Sequence, residues 1–153
     1  MNVVFFGATQ FGLKCLKCLL TIPNINITGV LTGKQSFNIS YSNNKPVNNV
    51  LYSDFQTFCA QREIPCVELK DKMTDPELLK IIQQWNPEFI LVIGWYHMVP
   101  KQIRDMAKKG VAGIHASMLP KYRGGAPLVW ALINGEPETG ISFFYFDEGV
   151  DAG

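Results

Sequence analysis

The chain has 153 residues, 47% of them apolar and 18% charged, with a net charge of +1. That length supports one buried core, and the composition is that of a globular chain, not a disordered or fibrous one. Near-neutrality gives no broad footprint for nucleic acid or an anionic membrane, and no apolar run reaches the ~18 residues of a membrane span. Met1-Asn-Val-Val-Phe-Phe-Gly7 has no basic segment ahead of its apolar run, so a cytoplasmic protein is expected.

Residues 2–6 form a β-branched and aromatic run, read as a strand ending at Gly7. Phe11, Leu13, Leu16, Leu19 and Leu20 recur at helical spacing over residues 11–20. Strand, glycine turn, helix is how a doubly wound α/β domain opens. Gly7 and Gly12 do not complete G-x-G-x-x-G, and no acidic residue closes the next strand, which argues against a dinucleotide site. The loop still has N–H groups to turn toward an anion. Residues 25–31 read as a second strand. Residues 33–49, rich in Ser and Asn, read as a surface loop, either a solvated insertion or a lid. A helix is expected over 52–62 and a strand over 64–67. A further helix starts at Thr74, with Thr74 as N-cap and Glu77 completing a capping box, and runs to about Trp85.

Residues 88–94 are nearly all apolar, as in a central parallel strand covered on both faces. An aromatic loop, 94–100, follows. Pro100 opens a helix to about Lys108, on which Lys101, Arg104 and Lys108 share one side and read as a solvated face. A strand over 110–114 leads into Gly113-Ile-His-Ala-Ser-Met-Leu-Pro-Lys-Tyr-Arg-Gly-Gly-Ala-Pro127. A helix over 126–134 and a last strand over 140–146 complete the elements. Alternating strands and helices imply an α/β fold with a doubly wound, mainly parallel sheet, in one domain over 1–153. Polar and aromatic groups gather at residues 94–99, 113–117 and 147–151, and strand ends of this kind converge on the ligand crevice of open α/β sheets.

Only two histidines exist, His97 and His115, and no Cys–His–Asp cluster has metal spacing, so no metal is expected. Cys15 and Cys18 sit within a helical pattern, and Cys59 and Cys66 flank a helix end. All four read as buried structural thiols. P-loop and G-x-S-x-G motifs are absent. His115 remains, with Asp147, Glu148 and Asp151 as carboxylates and Ser117 and Asn134 as polar neighbours. A histidine paired with a carboxylate is a proton-transfer device, suited to an amine that must lose a proton after attacking a carbonyl. The alternative is a strand-to-helix connection whose histidine caps a sheet edge.

Residues 115–127, then Trp130-Ala-Leu-Ile-Asn-Gly-Glu136, Thr139-Gly140, Asp147-Glu-Gly-Val-Asp-Ala-Gly153 and Phe5-Phe-Gly-Ala-Thr-Gln-Phe-Gly12, resemble the folate-dependent formyltransferase family across essentially the whole chain. The resemblance implies a Rossmann-like domain that moves the formyl group of 10-formyltetrahydrofolate to an amine, without a metal. It assigns catalysis to His115 and Asp151. It assigns the pterin pocket to backbone groups of His97, Met98 and Val99 and of Glu148, Gly149 and Val150, with His97 a pocket wall. The family's catalytic Asn falls on Gly113, a departure in the oxyanion region that also holds Ser117. Loss of one such donor costs on the order of 10²–10³ in rate, so Gly113→Asn is expected to raise activity. Arg123 is placed either to meet a substrate phosphate or to solvate its loop.

The runs 93–100 and 143–149 are most similar to the branch that formylates nucleotide-linked amino sugars. With the near-neutral charge, they make such a sugar the expected partner and argue against nucleic acid. The alternatives are the catalytic domain of a methionyl-tRNA formyltransferase and a non-catalytic folate- or nucleotide-binding relative; a dinucleotide-dependent oxidoreductase fits least. No membrane partner is expected, and a homodimer stays open.

Overall fold

A computed structural model describes residues 1–38 and 46–153. Its elements in chain order are β1 (Asn2–Phe6), α1 (Gln10–Leu19), β2 (Asn26–Thr32), β3 (Ser36–Asn38), β4 (Pro46–Asn48), α2 (Phe55–Ala60), β5 (Cys66–Glu68), α3 (Pro76–Gln84), β6 (Phe89–Val92), α4 (Lys101–Arg104), β7 (Val111–His115), α5 (Pro127–Ile133) and β8 (Ser142–Tyr145). Six strands form one sheet in the order β5-β2-β1-β6-β7-β8. All its pairs are parallel except β7 with β8. The fold is the doubly wound α/β fold expected, with an antiparallel edge strand.

The order runs outward in both directions from β1 and β6, so each sheet face is covered. Val4, Phe6, Ile90 and Val92 pack on one face with Leu78 and Ile82 of α3 and Ile103 of α4. Val3, Phe5 and Leu91 pack on the other with Leu16 of α1 and Phe55, Phe58 and Cys59 of α2. Strand residues alternate faces, and here both faces are apolar; that is why β1 and β6 read as continuous apolar runs.

Several boundaries differ from the sequence reading for local reasons. α2 starts at Phe55, capped by the Asp54 side chain on Thr57 N–H. Tyr52 is drawn into a bridge with Thr9, and Ser53 N–H donates to Ala8 O at 3.3 Å. α3 is capped by Asp75, not Thr74: Pro76 fixes the first helical residue, so the residue just before it accepts from Glu77 N–H at 2.8 Å. α4 is four residues, because Met106 and Ala107 N–H bond back three residues and tighten the chain out of the α-helix. Lys108 therefore lies off that helix. Residues 36–38 and 46–48 pair as an antiparallel ribbon, while the centre of the expected loop or lid, 39–45, lies outside the described residues. The cysteines are free thiols, but only Cys59 is buried; Cys15 and Cys66 are half-buried and Cys18 is exposed.

The glycine turn after β1 is not an open anion cradle. Gln10 N–H donates to Leu51 O at 2.7 Å and Gly12 N–H to the Thr9 hydroxyl at 3.1 Å. Leu51 and Thr9 take these two donors, which an anion would otherwise use. Among the described residues, no helix is long and apolar enough to cross a membrane.

Candidate active site

His115 is the last residue of β7, and its side chain is held from both nitrogens. Nε2 lies 2.7 Å from Tyr122 O, and since a carbonyl only accepts, Nε2 carries a proton. Nδ1 faces Asp151 Oδ2 at 3.6 Å. In the neutral ring Nδ1 is then the basic nitrogen, set beside a carboxylate that stabilises a proton arriving there. His115 is 9% exposed, and the Phe144 ring stands edge-on to it.

Both partners are themselves fixed. Asp151 Oδ2 accepts from Gly124 N–H at 2.7 Å, which ties the last turn to the loop after β7. The Tyr122 phenol donates to Glu136 Oε1 at 2.7 Å and accepts from Asn134 Nδ2 at 3.2 Å. That carboxylate, by accepting the phenol proton, raises the Tyr122 pKa above its ordinary value. The loop between is sharply turned, with positive φ at Tyr122, Gly124 and Ala126. Such backbone persists where the surroundings hold it in place, and such residues cluster at functional sites.

Around this pair lies a crevice of about 520 Å³, within the usual range of small-molecule sites. Its walls are Trp95, His97, Met98 and Val99 from the loop after β6, Phe144 and Phe146 from the β8 side, and Gly149, Val150 and Asp151 from the final turn. The last of these arrives by a different route from the one expected. β8 is antiparallel, so residues 147–151 do not leave at the strand end that carries His115. The chain turns back instead, Asp147 N–H donating to Ala152 O at 3.1 Å, and so brings Asp151 to the histidine. Burial holds the His97 imidazole below its ordinary pKa, which suits a neutral wall residue.

Four expected site residues lie outside the crevice lining. Glu148 and Arg123 are exposed. Ser117 is fully buried, and its hydroxyl donates to Lys121 O at 2.6 Å, closing the 117–121 turn. Gly113 is packed against β6: a Cβ there would lie 2.6 Å from Val92 O and 2.8 Å from the Phe146 ring. A side chain there requires the Val92 carbonyl or the Phe146 ring to shift, so Asn at 113 meets a packing cost before it can restore a donor. Close strand packing accounts for this glycine. Sequence reasoning missed Arg104, Tyr122 and Gly124. Tyr122 and Gly124 act through backbone groups, about which residue type is silent, and Arg104 was assigned to a solvated face. Among the described residues, no group of three or more His, Cys, Asp or Glu side chains is gathered to hold a metal.

Fold and site together set a histidine facing a carboxylate in the crevice of a doubly wound sheet. Comparison with known proteins gives the family: residues 1–153 match the formyl transferase model, and the chain belongs to that family. It is 34% identical over 155 residues to a methionyl-tRNA formyltransferase of Thermodesulfovibrio yellowstonii, covering 99% of this chain and 47% of the relative. A methionyl-tRNA formyltransferase of Bacteroides fragilis is 30% identical over 156 residues, covering 100% of this chain and 44% of the relative. The chain thus spans about half the length of the curated relatives it matches. The crystal structure of phosphoribosylglycinamide formyltransferase from Bacillus halodurans shares the fold, with a TM-score of 0.73 at 21% identity, covering 100% of this chain and 75% of that one.

These relatives overturn one expectation. They are named for methionyl-tRNA, a nucleic acid, not for a nucleotide-linked amino sugar, so the expected sugar partner and the argument against nucleic acid are both corrected. The physical reason is visible in the crevice. The runs 93–100 and 143–149 supply walls of one crevice beside His115, and nothing in that lining singles out an amino sugar.

Proposed function

We propose that this chain carries the formyl-transfer site of a methionyl-tRNA formyltransferase, moving the formyl group of 10-formyltetrahydrofolate to the amine of methionyl-tRNA. The observation that carries the reading is His115, with its basic Nδ1 beside Asp151, in the wall of an aromatic crevice. The crevice fits the donor, having aromatic side chains for a flat ring and loop backbone at residues 97–99 for its polar edge. When bound, 10-formyltetrahydrofolate supplies an activated formyl carbon. His115 Nδ1 takes the proton that the attacking amine releases and passes it to the departing folate nitrogen. Asp151 stabilises the imidazolium between those two transfers, and Tyr122 O holds the ring in the tautomer that leaves Nδ1 free to accept. The relatives' names support the choice of acceptor.

The test is tetrahydrofolate release from 10-formyltetrahydrofolate with methionyl-tRNA, with uncharged tRNA and with water alone. The reading expects release only with methionyl-tRNA. Equal release in water would make the site a hydrolase. Folate binding without release would favour a second reading, a non-catalytic folate-binding relative, which Gly113 supports because it offers no side-chain donor for a developing oxyanion.

A further inference from the structure

Cys59 lies in the last turn of α2 and Cys66 opens β5, and the chain between them turns back sharply. Ile64 N–H donates to Cys59 O at 3.0 Å, and Glu63 takes positive φ. Cys66 packs against the core cluster that holds Cys59, and the two thiols are hydrogen-bond partners. Neither belongs to the crevice lining, so the proposed formyl transfer makes no use of them. Their surroundings differ. Cys59 is buried, yet the Cys66 thiol donating to it, with the Arg62 guanidinium nearby, lowers its pKa. Cys66 is half-buried, and the same hydrogen bond, burial and the Asp54 and Glu68 carboxylates hold its proton on. The first proton lost by the pair thus comes from Cys59, which leaves a thiolate beside a thiol. Thiol–disulfide exchange needs these two parts: a thiolate, and a second sulfur within reach to resolve the mixed disulfide. Cys15 and Cys18 on α1 lack this asymmetry, since burial and then the neighbouring Cys18 raise the Cys15 pKa.

We infer that Cys59 and Cys66 form an oxidative modification site, joined into a reversible intramolecular disulfide by a low-molecular-weight disulfide such as glutathione disulfide. Cys66 is the sulfur that solvent reaches. Its Sγ bonds to one sulfur of the oxidant, whose S–S bond breaks, and its proton crosses the hydrogen bond to Cys59. The departing thiolate takes that proton. Cys59 Sγ then attacks Cys66 Sγ and expels the second thiolate. Two electrons pass from the protein thiols to the small disulfide, with one S–S bond formed and one lost. The new bond ties the end of α2 to β5 and restricts the unfolded chain, so the oxidised form is the more stable one.

The test incubates the folded protein with glutathione disulfide, alkylates the remaining thiols under denaturing conditions, and maps unreduced peptides by mass spectrometry. The expected result is a peptide pair crosslinked between 59 and 66, with both alkylatable thiols lost together and both recovered on adding dithiothreitol. Oxidised wild type is expected to melt at a higher Tm than the reduced form. Cys59→Ser is expected to trap glutathione at Cys66, but the wild-type mapping decides the matter without that variant. Glutathione at the exposed Cys18, with Cys59 and Cys66 both still open to alkylation, overturns the inference. A 59–66 crosslink that forms only in urea also overturns it, since the fold then does not bring the thiols to react.

Discussion

At the scale of single residues, the site is a chain of fixed partners: Gly124 N–H holds Asp151, Asp151 faces His115 Nδ1, and Tyr122 O takes the proton on Nε2. His115 and Asp151 were legible in the sequence because the proposed proton transfer needs their side chains. Gly124 and the Tyr122 carbonyl were not, because any residue supplies a backbone group. Gly113 was legible as a departure, but its cause was not, since the Val92 carbonyl and the Phe146 ring that crowd it lie far off in sequence. Gly113→Asn is therefore expected to destabilise the fold by overpacking, by about 1–3 kcal/mol or more, and not to activate the enzyme. Denaturant unfolding of that variant, alone and with Phe146→Ala, checks this. The second change removes only the movable obstacle, so partial recovery is expected, while wild-type stability in the single variant would contradict the packing.

Among the elements, β1, β6 and β7 were readable because burial on two faces leaves an apolar run with no polar interruption. The short α2 and α4 were overextended, since apolar periodicity does not register a bridge at Tyr52 or three-residue turns after Arg104. The antiparallel direction of β8 was also invisible, because strand pattern is the same either way along the chain. The segment 49–53 shows how a connection becomes structural. Asn49 is buried; its Nδ2 donates to Ala8 O at 3.1 Å, and its Oδ1 accepts from Leu51 N–H at 3.0 Å and from the Tyr96 phenol at 3.1 Å. Asn49→Ala leaves those groups without their partner and is expected to cost about 2–3 kcal/mol. For a chain of this size that lowers Tm by on the order of 5–10 °C, measurable by calorimetry. An unchanged Tm would mean that the segment is not pinned.

For the whole molecule, pH links the crevice to stability. His97 has its pKa lowered from the ordinary 6.5 by burial, so the unfolded chain takes up its proton more readily than the folded one. Stability is then expected to fall as pH drops below about 6.5, and His97→Gln to remove that component. Urea titrations across that range check the sign; a wild-type profile parallel to that of the variant would contradict it.

The central claim is that His115, oriented and charge-balanced by Asp151, moves the proton during formyl transfer. Its most direct test is the rate of labelled formyl transfer to methionyl-tRNA by wild type, His115→Ala and Asp151→Asn, with folate binding measured on the same samples. Both variants are expected to lose 10²–10⁴-fold in rate while folate still binds. Wild-type rates in either variant, with the wild type active, would contradict the claim.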